Sequence, residues 1–530
     1  MIVKEWTRVA REDELEEGVP FGVKLGDKDI VVVKLNGRIH ACGGKCPHKG
    51  APLEEGLVTD HALVCPWHSA RFDIKTGSLE APPAMDDLCS CKVKIERGQV
   101  YIGPAIEPES PSLESTQREI YVIIGAGGAG NACAETLRRE GFRGRIVMIT
   151  EESELPYDRT SLSKGYMNGS VPLDEVPLRP EGYYSERAIT VLTRRRVTGI
   201  DPRQQYVALD SGNSIPYDKL LVATGARPRR LAVPGAELEG VYSLRSMRDA
   251  IEIFEASRGI GRVAVVGAGF VGMEVAASLR TRGLGVDVIA PERVPMLKIF
   301  GERVGRWLEA LHERNGVRFH LGRAPVEIRG DGRAREVVLG DGGRVECDMV
   351  VVGIGVQPAV DFLAGAGLVE KGAIPVDERL RTRVPGIYAA GDVAVVPDHM
   401  TRELRRIEHW VVAERQGAHA ARSMLGSDVP YEEVPFFWTR QFGVSIQYAG
   451  YAPEWERVAV RGRVEEGDFL AGYYANGEMR AVCGAGRSLE FMSLAHLMRI
   501  GRKLSFERFR DERVDVRAML REASRAGAGE

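Results

Sequence analysis

The chain has 530 residues, of which 44% are apolar and 28% charged, and its net charge at pH 7 is −3. That length predicts several domains rather than one core, and the composition excludes collagen-like, coiled-coil and wholly disordered chains. The slightly acidic balance offers no field for nucleic acid, and eight cysteines are too few for a disulfide scaffold, so a reducing cytoplasm is the expected compartment.

The first residues are charged and lack an apolar run, so no secretory signal is expected. The most apolar long stretch, 263–279, is interrupted by Glu274 and is too short to span a bilayer. Residues 1–103 read as β-rich: 29–35, then Asn36-Gly37, then 38–41 is a strand, a type I′ turn signal and a returning strand. Short strands follow at 93–95 and 100–102.

Within this segment stand Cys46-Pro47-His48 and, sixteen residues on, Cys65-Pro66-Trp67-His68. Two thiolates and two imidazoles on short proline-containing loops suit a [2Fe–2S] centre with cysteines on one iron and histidines on the other. A zinc finger is the other Cys₂His₂ reading, but it places a cysteine pair before a histidine pair on a helix, whereas here the two types alternate. The assigned ligands are therefore Cys46, His48, Cys65 and His68. Cys42 reads as a packing thiol, and Cys89 and Cys91, alternating along a strand, face opposite sides and make poor joint ligands.

The spacing and its β-rich surround resemble the Rieske iron–sulfur family. Respiratory Rieske proteins carry an additional cysteine in each loop, whereas the places here read Lys49-Gly50-Ala51 and Ser69-Ala70. The resemblance is therefore to soluble Rieske ferredoxins, toward the low end of the roughly −150 to +300 mV range. An outward-facing histidine edge is expected to be the exit for electrons.

Residues 104–118, rich in proline, serine and glutamate, read as a linker. Beyond it the pattern becomes β-α-β: strand 120–124, Gly125-x-Gly127-x-x-Gly130, helix 132–140, strand 145–150. Glycines at these positions permit the tight turn and close approach of a pyrophosphate to a helix N-terminus, and Glu151 is placed to accept from a ribose hydroxyl. The unit recurs at strand 263–266, Gly267-x-Gly269-x-x-Gly272, helix 271–282 and strand 286–289, so this is an internal duplication. Ala290 stands where Glu151 stood. Glu292 is in reach of a ribose hydroxyl and Arg293 of a 2′-phosphate, so NADH and NADPH both stay open. Arg194-Arg195-Arg196 reads as a solvated face.

The segments Ala223-Thr224-Gly225 and Gly391-Asp392 flank the second unit, a layout similar to the two-dinucleotide-binding flavoprotein reductases. That resemblance implies FAD in the first unit, NAD(P)H in the second, and a return of the chain to FAD at Asp392. Pro156-Tyr157-Asp158-Arg159 through Lys164, with Glu408-His409-Trp410, resembles the branch of oxygenase-coupled ferredoxin reductases and apoptosis-inducing-factor-like proteins, the latter including forms with an N-terminal Rieske domain. It implies Lys164 beside flavin N5 and paired with Glu274, the two being the catalytic candidates. It also implies Arg159 at the FAD, Glu408 and His409 near the nicotinamide, and Trp410 and Trp438 by the flavin ring. Gly225 joins the FAD set and Gly355 the NAD(P)H set. No Cys-x₄-Cys or Cys-x-x-Cys pair accompanies Cys133 or Cys347, so no redox-active dithiol is expected.

The expected architecture is multidomain: an all-β Rieske domain (1–103), the linker, then two Rossmann-like α/β dinucleotide-binding domains. These comprise FAD parts at 119–245 and 366–428 and an NAD(P)H part at 246–365. A C-terminal α+β domain (429–515) and a flexible tail (516–530) complete it. The expected activity is an FAD-dependent NAD(P)H oxidoreductase feeding a [2Fe–2S] cluster and then a ferredoxin, oxygenase or cytochrome. No nucleic-acid partner and no membrane span are expected, and the protein is a monomer or homodimer. The competing expectations are an NAD(P)H oxidase and a redox-gated binding protein.

Overall fold

The computed structural model describes residues 6–106, 118–502 and 504–527. The N-terminal unit is two antiparallel sheets. One has six strands in the order Thr7–Arg11, Gln99–Ile106, Ser90–Glu96, Arg38–Gly43, Lys28–Leu35, Pro20–Leu25. The other runs Leu57–Val58, Ala62–Val64, Arg71–Asp73, Leu79–Ala81. Asn36 and Gly37 both adopt positive φ (52° and 71°), the type I′ conformation whose twist matches the flanking strands. Strand Gln99–Ile106 runs past the expected start of the linker at 104; of that linker, 107–117 lie outside the described residues.

The duplication is visible as two five-stranded parallel sheets that share the order of four strands, while the fifth strand follows its unit in the first sheet and precedes it in the second. The first is ordered Ile189–Leu192, Arg145–Ile149, Ile120–Ile124, Lys219–Val222, Ile387–Ala389, and the second Val241–Ser243, Met349–Val352, Arg262–Val266, Gly285–Ala290, Val317–Leu321. Continuous apolar strands are what a sheet covered on both faces requires. The fifth strand of the first sheet comes from beyond the second unit, so the chain does return. The glycine-loop helices, Gly128–Arg139 and Phe270–Thr281, begin four residues and one residue before the expected starts, because the third glycine of each motif already lies inside the helix.

The C-terminal unit is a five-stranded antiparallel sheet backed by helix Ser488–Arg499. The stretch expected as a flexible tail over 516–530 is helical over Val516–Gly527. Its Val516 and Leu520 are buried with Phe491, Leu494 and Leu497, and that burial outweighs the polar composition of its far end. Among the described residues no helix is long and apolar enough to cross a membrane.

The N-terminal unit is held on the rest by charged side chains. Arg179 donates to Glu135 and, across the junction, to both oxygens of Asp86 at 2.9 and 2.8 Å. Arg415, on helix Trp410–Met424, donates to the carbonyls of Ser69 (2.7 Å) and Pro82 (3.3 Å). The same helix crosses the first glycine-loop helix so closely that a Cβ at Gly417 would lie 2.0 Å from the Ala129 carbonyl oxygen. Gly417→Ala should therefore destabilise the protein by about 1–3 kcal/mol or more, since the backbones must part. Thermal unfolding of the variant beside the parent checks this.

Candidate functional site

The two Cys-His loops share one backbone pattern. Cys46 N–H donates to the Ala51 carbonyl and Gly50 N–H to that of Cys46; Cys65 and Ser69 do the same with Ala70 and Cys65. Gly50 and Ser69 both take positive φ to close the turn. The result sets both thiols in the interior, at 2% and 1% exposure, and points the Nδ1 atoms of His48 and His68 at each other, 3.0 Å apart.

Hydrogen bonding between the two thiols pushes Cys46 up and holds Cys65 down, and backbone N–H groups of the following residues favour the thiolate on both. Burial pushes His48 down to about 4, and burial together with His48 lowers His68 well below the ordinary imidazole range. Neutral imidazoles converging on one point opposite two N–H-cradled sulfurs are the donor set a [2Fe–2S] cluster needs. Cys42 is a buried thiol raised to about 12 by desolvation. The expectation that Cys89 and Cys91 face opposite sides is corrected: Cys89 lies just before strand Ser90–Glu96, and residues two apart share a face, so the exposed Cys89 thiol interacts with the buried Cys91.

A cavity of about 300 Å³ opens at the first glycine loop. In both loops the first glycine has φ +110°, and a Cβ on the third would sit 1.9 or 2.0 Å from the carbonyl oxygen of the first. A Cβ on Gly127 would meet nothing closer than Arg159 Nε at 3.9 Å, and one on Gly269 would meet nothing within 4 Å. The outer glycines thus serve the turn, while each middle glycine faces free space in which a pyrophosphate can approach the backbone. Both loops fit a dinucleotide.

The cavity wall includes Glu151, Arg159, Lys164, Gly225, Glu274 and Asp392, and also Glu408, His409, Trp410 and Trp438. Lys164 Nζ donates to Glu274 Oε2 at 2.9 Å. Glu274 also accepts from Ser163 Oγ and, at 2.7 Å, from Thr439 Oγ1. Asp392 is met by Arg245 at 2.9 Å. Arg159 is held by Glu152 and by the Tyr157 hydroxyl. His409 packs on Phe437 with ring centroids 4.2 Å apart, and burial lowers its pKa to about 4.

Thr439, Arg245 and Arg227 carry no local signal as site residues, although Arg227 stands only two residues after Gly225. Arg195 and Arg196, expected as part of a solvated face, are exposed but also line this cavity. The strand after their neighbouring turn carries them to its rim.

Gly267, Gly269, Gly272, Glu292, Arg293 and Gly355 stand around the second loop, outside this cavity's wall, whereas Phe270, Val271 and Glu274 of its helix reach into it. Gly355 has φ +94°. Arg293 pairs with Glu302 at 2.8 Å. The equivalence of Ala290 with Glu151 is corrected. Gly125 N–H donates to Ile149 and Gly267 N–H to Ile289, so the second crossover is two residues shorter; Glu151 matches Pro291 and Glu152 matches Glu292.

The two sites meet. Trp438, in the cavity wall, lies with its ring centroid 4.0 Å from that of His68 and 6.3 Å from that of His48. The histidine edge, expected to face outward as the exit, is half-buried against the reductase sheet. Gln447 Nε2 donates to the Pro66 and Trp67 carbonyls at 3.2 and 3.1 Å. Lys49, beside His48, pairs at 3.1 Å with Asp158, whose carboxylate caps the turn carrying Arg159.

Three family matches agree with this architecture: Rieske [2Fe-2S] domain over residues 5–94, pyridine nucleotide-disulphide oxidoreductase over 120–417, and reductase C-terminal over 436–520. The chain belongs to the pyridine nucleotide-disulphide oxidoreductase family and carries a Rieske domain. It is an FAD-dependent NAD(P)H oxidoreductase with a [2Fe–2S] cluster. It is 39% identical to human apoptosis-inducing factor 3, over 94% of this chain and 84% of that protein. It is 33% identical to the benzene 1,2-dioxygenase system ferredoxin–NAD(+) reductase subunit of Pseudomonas putida, over 75% of this chain and 97% of that one. The crystal structure of the ferredoxin reductase for the CYP199A2 system from Rhodopseudomonas palustris superposes with a TM-score of 0.73 at 33% identity, over 76% of this chain and all of that one.

Gly127→Ala is expected to fold yet lose FAD affinity, whereas Gly130→Ala should fail to build the loop; flavin content set beside the melting temperature separates the two. Burial alone would raise Asp158, but Lys49 and the Thr160 and Ser161 hydrogen bonds hold it to about 2, against 3.8 for the unperturbed group. Because the folded value is the lower one, the ionised carboxylate adds stability above about pH 4 and loses it as pH falls to about 2, roughly 2 kcal/mol in all. Acid titration followed by circular dichroism should show Asp158→Asn lacking that share of the pH dependence.

Proposed function

We propose that this chain carries reducing equivalents from NADH or NADPH through FAD to its own Rieske cluster, and from there to a separate protein acceptor. The observation that carries the reading is the position of Trp438, one indole ring between the glycine-loop cavity and the imidazoles of His48 and His68. Held at these loops, FAD would supply acceptance of a hydride and release of single electrons, and a cluster held by Cys46, His48, Cys65 and His68 would supply one-electron acceptance.

The chain's own residues do the rest. Lys164 places a positive charge in the cavity wall, and Glu274, itself fixed by Ser163 and Thr439, sets the direction of that ammonium before any charge develops. The helix N-termini at Gly128 and Phe270 present free N–H groups to the two pyrophosphates. His409, neutral through burial, forms with Phe437 and Phe270 an apolar wall that keeps water from the reacting face. Asp392 and Arg245 form a polar pair beside Gly225, in place for a ribityl chain. Glu151 is placed to accept from a ribose; at the second site, where Pro291 stands in its place, Glu292 one residue on is the candidate.

The relatives named as ferredoxin–NAD(+) reductases of dioxygenase systems, and the ferredoxin reductase of the CYP199A2 system, support a ferredoxin, oxygenase or cytochrome as the acceptor. The likeness to apoptosis-inducing factor 3 supports a second reading, redox-gated binding with little turnover. Turnover below about one per second, together with reduction-dependent dimerisation, would favour it.

Stopped-flow mixing of the loaded protein with NADH or NADPH, read at separate flavin and cluster wavelengths, tests the route. Lys164→Ala should slow the flavin phase about a hundredfold. Trp438→Ala should leave that phase nearly intact and slow the cluster phase. Unchanged cluster kinetics in the tryptophan variant would remove the route through that ring.

A further inference from the structure

A second, narrower cavity of about 50 Å³ lies where the N-terminal unit meets the C-terminal sheet. Its wall carries Arg71, Arg415, Arg499 and His496, and Glu433 is the one carboxylate on it among the described residues. Glu433 is already committed: it accepts from both terminal nitrogens of Arg71, one at 2.8 Å, and from Arg415 at 3.2 Å. Three guanidiniums thus share one carboxylate at a place where the Arg415 side chain is 6% exposed.

Nearby carboxylates do not make up the difference. Asp60 is solvent-exposed, and Glu80 is engaged by His61 at 2.9 Å. Arg415 spends its remaining donors on the Ser69 and Pro82 carbonyls. Two donors remain: Arg499 Nε and the Nε2 of His496, a residue only 6% exposed, are buried with no hydrogen-bond partner. Burial and the like charge of Arg71 lower the Arg499 pKa, as expected of a cation short of counter-charge.

A buried donor without a partner costs about 1–3 kcal/mol, and an uncompensated charge costs more. Planar guanidiniums match oxyanions better than they match halides. A water needs about 10–15 Å³ of such space, so this volume suits a four-oxygen ion and excludes a nucleotide.

We infer that this cavity binds a small tetrahedral oxyanion, inorganic phosphate or sulfate, between Arg71, Arg499 and the Nε2–H of His496. Bound there, the ion neutralises the excess charge and links the N-terminal unit to the helix Ser488–Arg499. The site lies away from both dinucleotide loops; none of the four assigned cluster ligands is in its wall, although Val64 and Ser69 beside them are, and it does not depend on the electron route proposed above.

Isothermal titration of the loaded full-length protein with sodium phosphate and with sodium sulfate, against sodium chloride at matched ionic strength, tests it. Saturable heat at one site is expected for both oxyanions and not for chloride. Arg499→Gln and His496→Gln should each weaken phosphate at least about tenfold, the worth of one charge-assisted hydrogen bond. O-phosphoserine, the same charged group on a larger body, should bind far more weakly than phosphate. No saturable oxyanion binding by the parent protein, or unchanged affinity in both variants, would overturn the assignment; so would phosphoserine binding as tightly as phosphate.

Discussion

The indole of Trp438 is the contact on which the rest of the molecule turns. It touches the imidazole of His68 on one side and forms part of the dinucleotide cavity on the other, so two redox sites encoded far apart share a wall. Imidazoles that close to an apolar surface must be neutral, and burial makes them so. The same packing that lowers their pKa leaves both imidazoles half-buried against the reductase sheet.

Keeping that contact in register falls to charged groups. Lys49–Asp158, Arg179–Asp86 and Arg71–Glu433–Arg415 all cross between the N-terminal unit and the reductase. Buried ion pairs add little net stability, because their desolvation offsets most of the attraction. What they do is penalise every other orientation, in which a buried charge would lose its partner. Gln447, donating to two carbonyls of the Cys65 loop, extends the same specification to the backbone beside a ligand.

The duplication shows a related economy. Both units use their outer glycines for the turn and leave the middle one facing open space, and both sheets share the order of four of their five strands. Their divergence lies at the end of the second strand, where the first unit has Glu151 and the second has Pro291. The helix of the second unit also contributes Glu274 to the wall of the first unit's cavity, so the two halves meet at the residue that holds Lys164.

Much of this was legible in the amino-acid order. The Cys-x-His and Cys-x-x-His spacing, the glycine motifs, the Asn36-Gly37 turn and the apolar strands are local signals, since a turn, a helix start or a ligand pair is decided within a few residues. The shortened second crossover, the cavity-lining Arg195 and Arg196, the Thr439 hydroxyl on Glu274 and the helix at the C-terminal end were not, because each depends on a partner distant in the chain. The direction in which the histidine edge faces belongs with them. Sequence spacing marked two imidazoles and two thiols as one candidate cluster site; only the packing of one unit on another decided that the imidazoles face the reductase, since that orientation is set by ion pairs and an indole contributed by residues about 90 to 390 positions away.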